Sequence, residues 1–128
     1  MNYKYSLLAL FATMTIIYMS SIPESSTPGS GLFAEIIWNL LHIPAYFLIT
    51  ILWLKAFRTK ESLRWPSNMQ LLILVGLILF AFSDEIHQSF VPGRTASLMD
   101  IGLDILGIFL GLVVFKNLTM FSGILQEK

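Results

Sequence analysis

Four apolar runs, at residues 5–19, 36–53, 69–82 and 101–115, leave this chain few ways to fold. A soluble domain of 128 residues could not hide that much apolar surface. Only 12% of the residues are charged, about half the roughly 25% usual for a soluble domain, and the mean hydropathy is +0.74. Lipid is the better solvent for such a sequence. A span takes about 20 residues at 1.5 Å rise each. The first, third and fourth runs are shorter than that, so they must carry flanking polar groups to membrane depth. The pattern predicts an all-α, four-transmembrane-helix bundle forming one domain over residues 1–128, with spans at about 4–22, 35–55, 67–86 and 98–117. No internal repeat is visible, and the Ser/Pro/Gly-rich residues 20–31 read as a loop.

The charges orient the bundle. With both termini and the second loop on one side, that side collects Lys4, Lys55, Arg58, Lys60, Arg64, Lys116 and Lys128 against Glu61 and Glu127. The other side collects Arg94 alone against Glu24, Glu35, Asp84, Glu85, Asp100 and Asp104. Short-loop Lys/Arg bias places the basic side, and hence both termini, in the cytoplasm. Residues 5–19 behind Lys4 also resemble a signal-peptide core, but bulky Met19 and Pro23 make Ser20-Ser21 a poor cleavage site. The basic loop 55–64 suits anionic lipid at the cytoplasmic face. A formal net charge of zero gives no field for nucleic acid, and the lack of cysteine excludes disulfides and thiolate metal sites. Trp38, Trp53 and Trp65 read as interface anchors.

The chemistry concentrates in residues 83–100, SDEIHQSFVPGRTASLMD, between the last two apolar runs. Ionisable groups at membrane depth are costly and need a partner or a purpose. In the predicted topology His42 lies about two turns below the outer surface, at about 3.6 residues per turn. The third span ends at Asp84 to Gln88, and the fourth begins with Asp100 and Asp104. Three spans and one loop therefore deliver these groups to one level. Asp84, His87 and Gln88 share a helix face, as do Asp100 with Asp104 and His42 with Tyr46. Glu85, about 100° away from Asp84, reads as a polar cap in headgroup water. Gly107 and Gly111 continue the Asp104 face and would admit a second helix at close range. Pro92-Gly93 is a turn that folds Arg94 back toward the carboxylates, as their counter-ion or as a clamp for an anionic headgroup.

The run Asp84-Glu85-Ile-His-Gln-Ser-Phe-Val-Pro-Gly-Arg94, followed by Ser97, Asp100 and Gly107, resembles the signature of the VanZ-like family of bacterial membrane proteins. The opening span with Ser20, Ser21 and Pro23 also fits, and the resemblance extends over nearly the whole chain. Asn39 stands where the family usually has Lys, ahead of His42 and Tyr46, and Asp104 stands where it usually has Asn. Both departures make the site more acidic. The resemblance implies a location in the bacterial cytoplasmic membrane and an association with low-level resistance to the glycopeptide teicoplanin.

Two functional readings follow, with a structural one beside them. In the first, a polar outer-leaflet pocket binds a cell-envelope lipid, a lipid-linked precursor or a lipophilic glycopeptide through His42, Tyr46, Asp84, Glu85, His87, Gln88, Arg94, Ser97, Asp100 and Asp104. In the second, the chain is a small membrane enzyme acting on a lipid headgroup, with Asp84 or His42 as general base, or with the carboxylates and His42 holding a divalent cation. In the third, the polar cluster only locks the helices together. The sequence holds no phosphate-binding Gly loop, nucleophile elbow or HExxH pair.

Overall fold

The structure, a computed structural model, describes residues 1–23, 32–58, 68–94 and 96–126, with side chains omitted at 32–35 and 120–126. Helices α1 (Tyr3–Ser20), α2 (Leu32–Leu40), α3 (His42–Ala56), α4 (Asn68–Gln88) and α5 (Leu98–Gln126) form an all-α arrangement, with no strand among the described residues. The expected spans are helical. The second is broken at Leu41, and the fourth runs on to Gln126. Pro44 accounts for the break. It has no N–H to offer the Leu40 carbonyl, and its ring crowds the preceding turn. Leu41 stays attached through bonds from its N–H to the Ile37 and Trp38 carbonyls at 3.1 and 3.2 Å, and it accepts from Ala45 at 3.2 Å.

Ile36–Ala56, Asn68–Gln88 and Leu98–Thr119 are long and apolar enough to cross a membrane. Helix α1 opens on Tyr3, Lys4, Tyr5 and Ser6, and it is not among them. It still packs along α3 from end to end. The Asn2 N–H donates to the Ala56 carbonyl at 2.7 Å, Lys55 sits 5.4 Å over the Tyr5 ring, and Trp53 Nε1 donates to Thr13 Oγ1 at 3.2 Å. Trp53 thus serves the helix interface as well as stacking on Phe57. Trp65 and residues 59–67 of the basic loop lie outside the described residues.

The bundle is apolar outside and polar within at one end. Leu7, Phe11, Leu72, Leu79, Ile86, Phe109 and Leu118 are exposed, while Asp84, Glu85, Gln88, Asp100 and Asp104 are buried. That inversion suits a lipid surround, in which polar groups must be satisfied internally. A small core of Tyr46, Ile49, Leu77, Ala81 and Ile108 lies below the polar end. Helices α3 and α5 run parallel and very close. A Cβ built on Gly107 would lie 2.5 Å from the Ile43 carbonyl oxygen, and one on Gly111 would lie 2.8 Å from that of Phe47. The expected close approach at these two glycines is present, and α3 is the helix they admit. Thr50 Oγ1 donates to the Tyr46 carbonyl at 2.7 Å, so its hydroxyl is satisfied within its own helix.

Candidate functional site

The candidate site residues named in the sequence fall at one end of the bundle, where α1 and α4 finish and α3 and α5 begin. Two networks share that end. They differ in one respect that decides what each can do.

The first joins α1, α4 and the turn after it, and it is closed. Ser20 Oγ donates to Asp84 Oδ2 at 2.8 Å, and Gln88 Nε2 donates to the same oxygen at 3.0 Å. Gln88 Nε2 also approaches Ser20 Oγ at 3.4 Å, and Gln88 Oε1 accepts from the Arg94 guanidinium at 3.0 Å. Residues 91–94 form a tight turn, with the Arg94 N–H donating to the Val91 carbonyl at 3.1 Å. Gly93 has φ 81°, where a side chain would be strained, and Pro92 precedes it. This is a type II turn with the residues it demands. As expected it folds Arg94 back, but not onto a carboxylate. Its remaining bonds go to the Ile22 carbonyl at 3.1 Å and the Met19 carbonyl at 3.3 Å. These carbonyls lie at and just past the end of α1, where the negative end of the helix dipole favours a cation. Lysine keeps the charge but cannot span this fork of acceptors. Arg94→Lys is therefore expected to lower stability by about 1–2 kcal/mol, measured as a drop in thermal midpoint in detergent.

The second network joins α3, α4 and α5, and it is open. His42 Nδ1 lies 2.9 Å from Asp104 Oδ1. An ionised carboxylate can only accept, so this bond puts the imidazole proton on Nδ1 and leaves Nε2 without a hydrogen bond among the described residues. Ser97 caps α5: its Oγ accepts the Met99 N–H at 3.1 Å. Asp100 stands three residues after Ser97, where an acidic side chain normally reaches back to the cap's N–H. Here that N–H donates instead to Glu85 Oε2 at 2.7 Å, so the Asp100 carboxylate stays turned into the bundle. Among the described residues, four buried polar atoms have no hydrogen-bond partner: Tyr46 OH, Glu85 Oε1, Asp100 Oδ1 and Asp104 Oδ2.

Glu85 departs most from its sequence reading as a solvated cap. It is 2% exposed. The 100° between neighbouring helical positions turns Asp84 toward α1 and Glu85 toward α5, and both directions lead inward. His87 departs the other way. It shares the sequence spacing of Asp84 and Gln88 but is exposed, and its Nε2 bonds Ser21 Oγ at 2.9 Å. The one Ser21 proton is already donated to the Ile17 carbonyl at 2.7 Å, so Nε2 of His87 is the donor there. Ser20 is the functional-end residue that polarity and spacing overlooked. Its signal was the Ser20-Ser21 pair closing the first apolar run. Among the described residues no group of three or more His, Cys, Asp and Glu side chains is arranged to hold a metal ion.

An arrangement of this kind, apolar outside and polar within at one end, suits a membrane protein. No curated protein and no solved structure matches the chain. Residues 2–121 do match the family model described as VanZ/LLP1, and the chain belongs to the VanZ/LLP1 family.

Proposed function

We propose that this chain is a multi-pass protein of the bacterial cytoplasmic membrane that holds the polar head of a cell-envelope amphiphile at the His42–Asp104 end of its bundle. Membership of a VanZ family ties that role to envelope tolerance of the teicoplanin type. The observation that carries the reading is the set of four buried, unpartnered polar atoms between α3, α4 and α5. Buried polar groups are nearly always hydrogen-bonded, and one left without a partner costs about 1–3 kcal/mol. A group of them at one site supports a ligand there. Exposed apolar side chains flank it, Leu41 beside His42 and Leu98 and Met99 beside Asp100. An acyl chain would find its surface there while the head turned inward. Binding is tested by native mass spectrometry of the full chain released from mild detergent. An amphiphile retained by the wild type and lost from Asp100→Asn is the expected result, and no retained mass in either would overturn the reading.

A second reading, a membrane enzyme acting on a lipid headgroup, draws on the His42–Asp104 pair. A carboxylate orienting a histidine whose other nitrogen is unbonded is a common general-base arrangement. Under this reading, expression of the wild type but not His42→Ala would change the masses of the envelope lipids themselves.

Four spans with both termini cytoplasmic complete the proposal. Support comes from α1 reaching Ala56 at its start and Asp84 at its end, so that it travels the same depth as α3. The chain has no cysteine, which makes single-cysteine labelling clean. In intact cells a membrane-impermeant maleimide is expected to label Ser89→Cys and to leave Lys4→Cys unlabelled until the membrane is opened. Labelling of both from outside would sink this topology.

A further inference from the structure

We infer that the unpartnered group between α3, α4 and α5 is a receptor for a protonated primary amine. The inference rests on the binding reading above and narrows it to a class of ligand. Three of the four orphan atoms are carboxyl oxygens, Glu85 Oε1, Asp100 Oδ1 and Asp104 Oδ2, which in the ionised form can only accept hydrogen bonds. The fourth, Tyr46 OH, belongs to a side chain with no exposure at all, and it lies within electrostatic range of Asp104, Asp84 and Glu85. The site therefore has acceptors in excess and needs donors.

Arg94 does not supply them. The Arg94 guanidinium is bonded to Gln88 and to the Met19 and Ile22 carbonyls. The Ser97 N–H is already bonded to the other oxygen of Glu85. His42 donates toward Asp104 Oδ1 and leaves Oδ2 open. A phosphate or carboxylate head would bring more acceptors and like charge into a low-dielectric site, where repulsion is least screened. An ammonium brings three donors and no acceptor. Its charge-assisted bonds to carboxylates are roughly twice as strong as neutral ones.

A divalent cation draws its oxygen ligands to about 2.0–2.6 Å, and no three acidic or histidine side chains among the described residues are arranged that way. The shared chemistry, a primary amine, occurs in an aminophospholipid head and in an amino sugar.

The test uses the full chain in mild detergent, presented with phosphatidylethanolamine, phosphatidylcholine and phosphatidylglycerol in equal amounts and read by native mass spectrometry. Phosphatidylethanolamine carries the N–H donors, phosphatidylcholine carries the charge without them, and phosphatidylglycerol carries neither. The expected result is at least a tenfold preference for phosphatidylethanolamine over both others. Glu85→Gln should abolish the preference. Tyr46→Phe, which breaks no hydrogen bond, should reduce it. The wild-type comparison stands by itself if Glu85→Gln fails to fold. Displacement by millimolar glucosamine would show that the amine is read without its lipid anchor, and resistance to displacement would make the lipid head the source. Equal retention of phosphatidylethanolamine and phosphatidylcholine, or a preference for phosphatidylglycerol, overturns the amine while leaving amphiphile binding in place. Retention of no lipid overturns the binding reading itself.

Discussion

Gly107→Ala is expected to destabilise the bundle by about 2–3 kcal/mol, the upper range for forcing extra volume into a packed interface. The added Cβ would sit 2.5 Å from the Ile43 carbonyl oxygen and 3.1 Å from the Phe47 nitrogen. Both obstacles are backbone, so no side-chain rotation relieves them. Helices α3 and α5 would have to separate, and the His42–Asp104 pair one turn away would lengthen with them. Gly102 lies on the same helix with nothing within 4 Å of its Cβ position. Gly102→Ala is therefore expected to change stability in the opposite sense, by about 0.5–1 kcal/mol, because alanine loses less backbone freedom on folding. Thermal unfolding of both variants in detergent, followed by helical circular dichroism, should give shifts of opposite sign. Equal shifts would mean that α3 and α5 do not approach at Gly107.

His42→Ala is the second large effect. Asp104 has no exposure, and one of its oxygens already lacks a partner. Removing the imidazole strands the whole carboxylate. Breaking a buried pair from one side costs about 3–5 kcal/mol, whereas replacing both members with apolar residues of similar volume is often neutral. The double variant His42→Leu/Asp104→Leu should accordingly recover most of the stability lost in His42→Ala. It should not recover retention of an amphiphile. Recovery of stability without recovery of binding identifies a group kept for its ligand. If the double variant remains as unstable as His42→Ala, the pair matters to the fold beyond its own charges.

The sequence made some of this arrangement legible and hid the rest for identifiable reasons. Residues 69–82 and 101–115 announce helices because they are almost continuously apolar, where a barrel strand in lipid would alternate. The Gly107 and Gly111 contact was readable because glycine four residues apart on an apolar helix leaves a groove. That the groove receives Ile43, Phe47 and Thr50 was not, since apolar faces carry no address. The Pro92-Gly93 turn was readable from turn chemistry alone. The acceptors waiting for Arg94 were not. They are backbone carbonyls of Met19 and Ile22, which every residue owns and no sequence pattern marks.

Glu85 shows the same limit from the other side. Helical spacing correctly separates it from Asp84 by about 100°. Whether that direction leads to headgroup water or to another helix depends on where α5 packs. Asp100 reads as an ordinary first-turn carboxylate, and only the capture of the Ser97 N–H by Glu85 turns it into the bundle without a partner.

By itself, then, the chain's apolar periodicity determines that it is helical and suited to lipid, and that its polar residues gather at one end. Both follow from local hydropathy and from chain direction reversing at each loop. Tertiary packing alone decides which polar atoms are satisfied. Ser20, Asp84, Gln88 and Arg94 close a network on themselves, while Tyr46, Glu85, Asp100 and Asp104 are left open. Partnering of that kind depends on distances of a few tenths of an ångström between helices far apart in the chain.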